Sequence, residues 1–278
     1  MRFPGVNVKN YLYLIERAAS QKRVACCYCG AENFSDRDLF ICYNCELANS
    51  EAACTMRKSD QALAVRMAKI DAFLAKGDCA GAESEYENIS NTYKDPESLY
   101  NSALLNIRCS NAERAAVRYD REGFMEENSV HMENASKRKS RAGLFLNRAA
   151  LICEGVFKKG NWEKTLPFTF FMINIKLGNL KTARRALGML REAGDPYLIG
   201  YAQMVFAAEQ LKPEETASAS VDVMKINPSP SALYYLAWAF FKGRKYREST
   251  ELLSGIRKYV DTSNVDALIA EIEKIKEV

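Results

Sequence analysis

The chain has 278 residues, 48% hydrophobic and 27% charged, and a formal net charge of +4. That make-up is expected of a soluble globular protein with room for one or two cored domains, and it excludes low-complexity and fibrous classes. The N-terminus shows no secretory signal pattern, and the most apolar tract, 165–180, carries Asn174 and Lys176 and is too short for a membrane span, so a cytoplasmic setting without membrane contact is expected.

From the N-terminus, Val8, Tyr11, Leu12, Ile15 and Ala19 recur at helical spacing and predict an amphipathic helix within residues 1–23. Two cysteine hooks follow, Cys26-x-x-Cys29 and Cys42-x-x-Cys45, about a dozen residues apart. Four soft thiolates at this spacing reach the corners of a tetrahedron, which predicts a closed zinc module over 24–56 with Cys26, Cys29, Cys42 and Cys45 as ligands. Cys27 competes for the first place, but Cys27-x-Cys29 is tighter than the usual hook. With four sulfur ligands no coordination position is left for water or substrate, so the expected role of the metal is structural. Iron fits the same cage. Cys79, Cys109 and Cys153 fall in helical patterns and read as small buried hydrophobes.

Beyond residue 60 the pattern becomes helical and repetitive. A turn residue is followed five positions later by a small one: Gly77 and Ala82, Ser110 and Ala115, Gly178 and Ala183, Lys212 and Ala217, Arg244 and Ser249. The turn residues step by 33, 68, 34 and 32, and 68 is twice 34. A period of 34 built from two helices is the signature of stacked hairpins, each of which needs a neighbour to cover its apolar face. The polar stretch 126–140 and the apolar run 142–157 break the pattern, and predict an irregular insertion over 123–162 or one unusually long helix.

On these residues, 61–278 resembles a degenerate tetratricopeptide repeat array. Its last unit places Leu233, Leu236, Ala237, Phe240, Ser249, Leu253 and Ile256 on the family's packing positions. The hooks, with Gly30 after the first, resemble the zinc-ribbon or rubredoxin-like knuckle. Cys29 and Asn33 also echo the Cys-x3-Asn pattern of Ran-binding-protein zinc fingers, without that family's preceding tryptophan or its shorter spacing. The resemblance implies a mostly α protein: an α-solenoid of helical hairpins preceded by a small zinc-ribbon module. It puts Tyr100, Phe206, Tyr234, Trp238 and Phe241 on a concave side, where they would take a peptide or helix of a protein partner. The same side chains read equally well as core.

Charge is uneven: residues 138–195 hold 12 Lys and Arg against 4 Asp and Glu. Arg138, Lys139, Arg141, Arg184 and Arg185 are the candidate contacts for an anionic partner, unless they are the solvated faces of helices. The single histidine, His131, reads as an exposed loop residue, and no phosphate-loop, dinucleotide, zinc-protease or nucleophile-elbow motif occurs. The expectation is therefore a non-enzymatic adaptor with no small-molecule substrate. The alternative is an RNA- or ribosome-associated factor using the basic block 138–191 and the zinc ribbon.

Overall fold

The computed structural model describes residues 8–20, 23–35, 37–117, 125–160, 162–257, 259 and 262–276. Residues 1–7 and 21–22 of the expected N-terminal helix segment, and 123–124 and 161 of the expected insertion, lie outside the described residues. The chain begins with α1 (Val8–Ala19) and four short strands, β1 (Arg23–Ala25), β2 (Glu32–Phe34), β3 (Leu39–Ile41) and β4 (Ala48–Ser50). Helices follow: α2 (Glu51–Ser59), α3 (Gln61–Ala75), α4 (Cys79–Tyr93), α5 (Pro96–Ala116), α6 (Met125–Lys159) and α7 (Leu166–Lys176). The last six are α8 (Leu180–Ala193), α9 (Pro196–Glu209), α10 (Pro213–Ile226), α11 (Pro230–Lys242), α12 (Tyr246–Ile256) and α13 (Thr262–Lys276). Among the described residues the protein is thus mostly helical, with two small antiparallel sheets, β1–β2 and β3–β4. Among the described residues no helix is long and apolar enough to cross a membrane.

The chain divides into two compact units. The first comprises Met1–Cys26, Ala31–Glu51 and Leu180–Val278; the second comprises Cys27–Gly30 and Ala52–Asn179.

The helix boundaries follow from local chemistry. Asp60, Asp78, Asp95 and Asp195 cap α3, α4, α5 and α9, each accepting a first-turn backbone N–H on its side chain. Pro96, Pro196, Pro213 and Pro230 open α5, α9, α10 and α11, where the missing N–H costs nothing and the fixed φ is already helical.

One turn recurs. Gly77, Gly178, Leu211 and Arg244 each adopt a left-handed backbone, with φ of 71°, 71°, 56° and 62°. In every case the next residue's N–H reaches five back: Asp78 to Phe73 (2.9 Å), Asn179 to Asn174 (2.9 Å), Lys212 to Ala207 (3.0 Å) and Lys245 to Phe240 (2.8 Å). This is the Schellman closure of a helix end. Leu211 and Arg244 stand 33 residues beyond Gly178 and Leu211 respectively.

In the first unit α9, α10, α11 and α12 pack in sequence, and α9 also meets α11, as α11 meets α13. Tyr197, Leu198, Tyr201, Leu233, Leu236 and Phe240 fill this interior. Ser249 is fully buried and its Oγ donates to the Ala237 carbonyl at 2.8 Å, so two small residues bring α11 and α12 together. In the second unit Leu63, Ile70, Ala82, Tyr86 and Ile89 form the core of the α3–α4 hairpin.

The expected turn at Ser110 does not occur. Ser110 lies inside α5, buried, and its Oγ donates to the Ala135 carbonyl of α6 at 2.9 Å. The polar stretch 126–140 belongs to α6, a 35-residue helix. His131 is likewise helical and pairs with Glu113 of α5 through Nδ1 at 2.6 Å. Among the described residues of the polar stretch these pairs accompany only Ala135 as a buried apolar residue, while Ala142, Phe145, Leu146, Ala149 and Cys153 form the buried stripe further along α6.

Candidate metal centre

The hooks sit at the ends of two short hairpins with the same construction. In the first, β1 pairs with β2, and the Cys26 N–H donates to the Ala31 carbonyl at 2.9 Å. In the second, β3 pairs with β4, and the Cys42 N–H donates to the Leu47 carbonyl at 3.0 Å. Each reversal needs a left-handed residue directly after its hook, supplied by Gly30 (φ 74°) and Glu46 (φ 56°). A shift of 16 positions maps Cys26, Cys29, Gly30 and Ala31 onto Cys42, Cys45, Glu46 and Leu47.

This arrangement gathers the four expected ligands. The sulfurs of Cys26, Cys29, Cys42 and Cys45 all lie within 4.8 Å of one another. Cys26, Cys42 and Cys45 are buried, and Cys29 is half-buried. Four thiols in so small a volume repel once ionised, so the donor set fits a tetrahedral cation that compensates them. Cys27 is not in the cluster. Its thiol lies against Cys54, and that hydrogen bond together with burial pushes its pKa far up.

Asparagines finish each knuckle. Asn33 Nδ2 donates to the Ala31 carbonyl (2.8 Å) and lies 3.4 Å from Cys42 Sγ, while its Oδ1 accepts the Tyr43 N–H at 3.0 Å. The Asn44 N–H also reaches Cys42 Sγ at 3.4 Å. Donors aimed at a thiolate spread its charge and fix its direction toward a metal. Asn49, fully buried, repeats the pattern by donating to the Leu47 carbonyl at 2.9 Å. Sequence reading noticed the Cys29-x3-Asn33 echo and missed its twin, Cys45-x3-Asn49.

Within the first unit, Tyr235 donates its hydroxyl to Glu46 at 3.1 Å, and Arg37 donates to the Ile226 carbonyl at 3.2 Å. Within the second, Arg57 Nε donates to the Cys27 carbonyl (3.1 Å) and Asn101 to the Tyr28 carbonyl (2.9 Å), with the guanidinium 4.7 Å above the Tyr28 ring. Arg57 also holds Asp95 at 2.6 Å. Burial alone would raise the Asp95 carboxyl; hydrogen bonds from Glu97 and Ser98 and the Arg57 charge outweigh it and hold Asp95 below its ordinary range. Glu97 moves the other way, pushed well up by burial and by the Asp95 charge, while Thr169 donates to it at 2.9 Å. The network borders a cavity of about 450 Å³ lined also by Leu63, Tyr93, Trp162 and Leu166. Its members are 38 and 72 positions apart, so no local motif reveals it.

The five aromatic candidates separate by depth. Tyr100 and Phe241 are buried, whereas Phe206, Tyr234 and Trp238 are half-buried in the first unit. The basic candidates separate by unit. Arg138, Lys139 and Arg141 belong to the second, and Arg184 and Arg185 to the first. Arg141 is paired with Glu83 and with Glu87, and its neighbour Arg148 with Glu87 at 2.9 Å. Arg184 is exposed, 5.7 Å from the Phe206 ring centre.

No protein-family model, curated protein or solved structure matches this chain.

Proposed function

We propose that the chain is a non-enzymatic cytoplasmic adaptor: a tetratricopeptide-like helical array that holds a protein partner, with a zinc-ribbon module as a structural accessory. The observation that carries the reading is the left-handed turn that recurs at Gly178, Leu211 and Arg244 in steps of 33, close to the family's 34, with the same closure at Gly77. Cys26, Cys29, Cys42 and Cys45 hold the metal, taken as Zn²⁺, with Fe as the other ion the same four thiolates accept. The metal supplies folding energy to hairpins too short to persist alone.

Phe206, Tyr234 and Trp238 are the side chains proposed to take the partner, an apolar or amphipathic peptide or helix. The ion pairs of Arg141 and Arg148 with Glu83 and Glu87 weigh against the RNA-associated alternative, because cations already neutralised within the fold release few counterions on binding. The test is a native pull-down, run with and without nuclease, on the wild type and on Tyr234→Ala/Trp238→Ala. Protein partners that survive nuclease and are lost with the double variant support the adaptor. Partners lost with nuclease and retained by the double variant overturn it.

A further inference from the structure

A second sulfur cluster lies far from the hooks in sequence. Cys79 opens α4 and Cys109 sits near the end of α5, and their sulfurs are 2.6 Å apart, with Cys109 as donor. Both are half-buried, in contrast to the fully buried Cys153, so the reading of all three as interior hydrophobes holds for Cys153 alone. A disulfide needs a sulfur separation of about 2.05 Å, so closing the bond asks for about half an ångström of movement. The two helices pack directly on one another, and the charges of Arg138 and Glu83 act on the Cys109 thiol in opposite senses.

We propose that Cys79 and Cys109 form a site of reversible oxidation, closed to an intramolecular disulfide by a low-molecular-weight disulfide such as oxidised glutathione. Cys109 donates its proton toward Cys79 in the reduced pair, which leaves the Cys79 sulfur as the nucleophile. Cys79 gives its proton to solvent, and its thiolate attacks one sulfur of the small disulfide, forming a mixed disulfide and releasing one thiolate, which takes up a proton. Cys109 then gives its proton to solvent and attacks the Cys79 sulfur, forming the Cys79–Cys109 bond and expelling the second small thiol. Two protein thiols are oxidised and one small disulfide is reduced to two thiols. Burial and the Cys79 hydrogen bond push the Cys109 thiol up to about 12, which suits a resolving sulfur more than a first attacker. The bond closes a loop of 30 residues and ties α4 to α5 across the hairpin boundary.

The test uses the full, metal-loaded chain incubated with oxidised glutathione, digested without reduction and mapped by mass spectrometry. The expected result is a peptide pair joining Cys79 to Cys109, lighter by two hydrogens, in most molecules, and reversed by a dithiol. Cys109→Ser is expected to accumulate the glutathione adduct on Cys79, and Cys79→Ser to leave Cys109 largely unmodified. Oxidised wild type should also melt several degrees higher than reduced wild type, with no such difference in Cys79→Ser. Wild type that yields no Cys79–Cys109 peptide, or that keeps unresolved adducts on either cysteine, overturns the proposal, and this map decides it even if a variant fails to fold.

Discussion

Asn33 and Asn49 occupy equivalent places in the two knuckles, 16 residues apart, and each ties its side-chain amide to the carbonyl two residues before it (2.8 and 2.9 Å). Asn33 also reaches across to Cys42 Sγ and to the Tyr43 N–H, so it fastens one hairpin to a ligand of the other. Asn33→Ala removes these bonds and leaves buried donors and acceptors unpaired. It is expected to cost about 2–3 kcal/mol and to weaken metal binding about 10- to 100-fold. Competition against a calibrated chelator measures it; an affinity equal to wild type would show the amide to be dispensable.

Cys42→Ser and Cys45→Ser each remove one of four sulfurs. Stoichiometric metal is expected to be lost, and backbone amides of 23–50 to exchange rapidly, because binding energy is folding energy in such sites. The helical far-UV signal should largely persist, since the cores around Leu63 and Leu236 use no sulfur ligand. Elemental analysis with hydrogen exchange distinguishes the outcomes, and retention of one metal per chain by either variant would refute the ligand set.

The Asp95–Glu97 pair sets a pH dependence. Glu97 has a folded pKa above its ordinary 4.5, so its contribution is fully present below that value and declines as pH rises toward the folded value. Asp95, held below 3.8, contributes above that value and loses its part only as pH falls. Glu97→Gln mimics the protonated acid and removes the loss above pH 4.5. Its stability relative to wild type is expected to grow by up to about 1.4 kcal/mol per pH unit in that range. Asp95→Asn strands the Arg57 cation and is expected to cost about 3–5 kcal/mol. Urea titrations at several pH values test both, and a pH-independent gap for Glu97→Gln would contradict the upward shift of the Glu97 carboxyl.

The recurring turns contain their own control. Gly178 has φ 71° and nothing within 4 Å of an added Cβ, so Gly178→Ala is expected to destabilise by about 1 kcal/mol through backbone strain alone. Leu211 holds a similar conformation at φ 56° while 70% exposed. Leu211→Gly should therefore be neutral or stabilise by up to about 1 kcal/mol. Opposite signs from two substitutions at one turn type, read by thermal melting, would be the signature.

Gly255 faces α1: a Cβ there would collide with the Leu12 side chain. Gly255→Ala should displace α1 from α12 and raise hydrogen exchange over residues 8–19, with little change in α9–α11. Unchanged protection of α1 would mean that the Leu12 side chain simply moves aside.

The sequence made the four-sulfur cluster legible because a shared metal would require close spacing, and four cysteines in two hooks leave few alternatives. Of the five turn positions read from the spacing, Gly77, Gly178 and Arg244 carry a left-handed residue, the fourth falls one place earlier at Leu211, and Ser110 is helical. Other features were hidden for a physical reason. The long helix Met125–Lys159 is one of the two readings of 123–162, but its pairings of His131 with Glu113 and of Ala135 with Ser110 were not legible, since polar pairs carry no periodic apolar signal. Similarly, Arg57, Asp95, Glu97 and Thr169 come together only when distant helices pack. The burial of Tyr100 and Phe241, beside the partial exposure of Trp238, depends on neighbours that sequence periodicity does not name.

The twin hairpins would also govern how an ion held by the four sulfurs arrives and leaves. Each hook presents only two sulfurs, so neither completes a four-coordinate shell by itself. Only residues 35–38 separate β2 from β3. If the four sulfurs hold an ion, so short a tether would keep the second hook at an effective concentration of about millimolar or more once the first is engaged. Extraction by a chelator would then run at a rate set by how often one hairpin opens, and raising the chelator concentration beyond that point should no longer speed it.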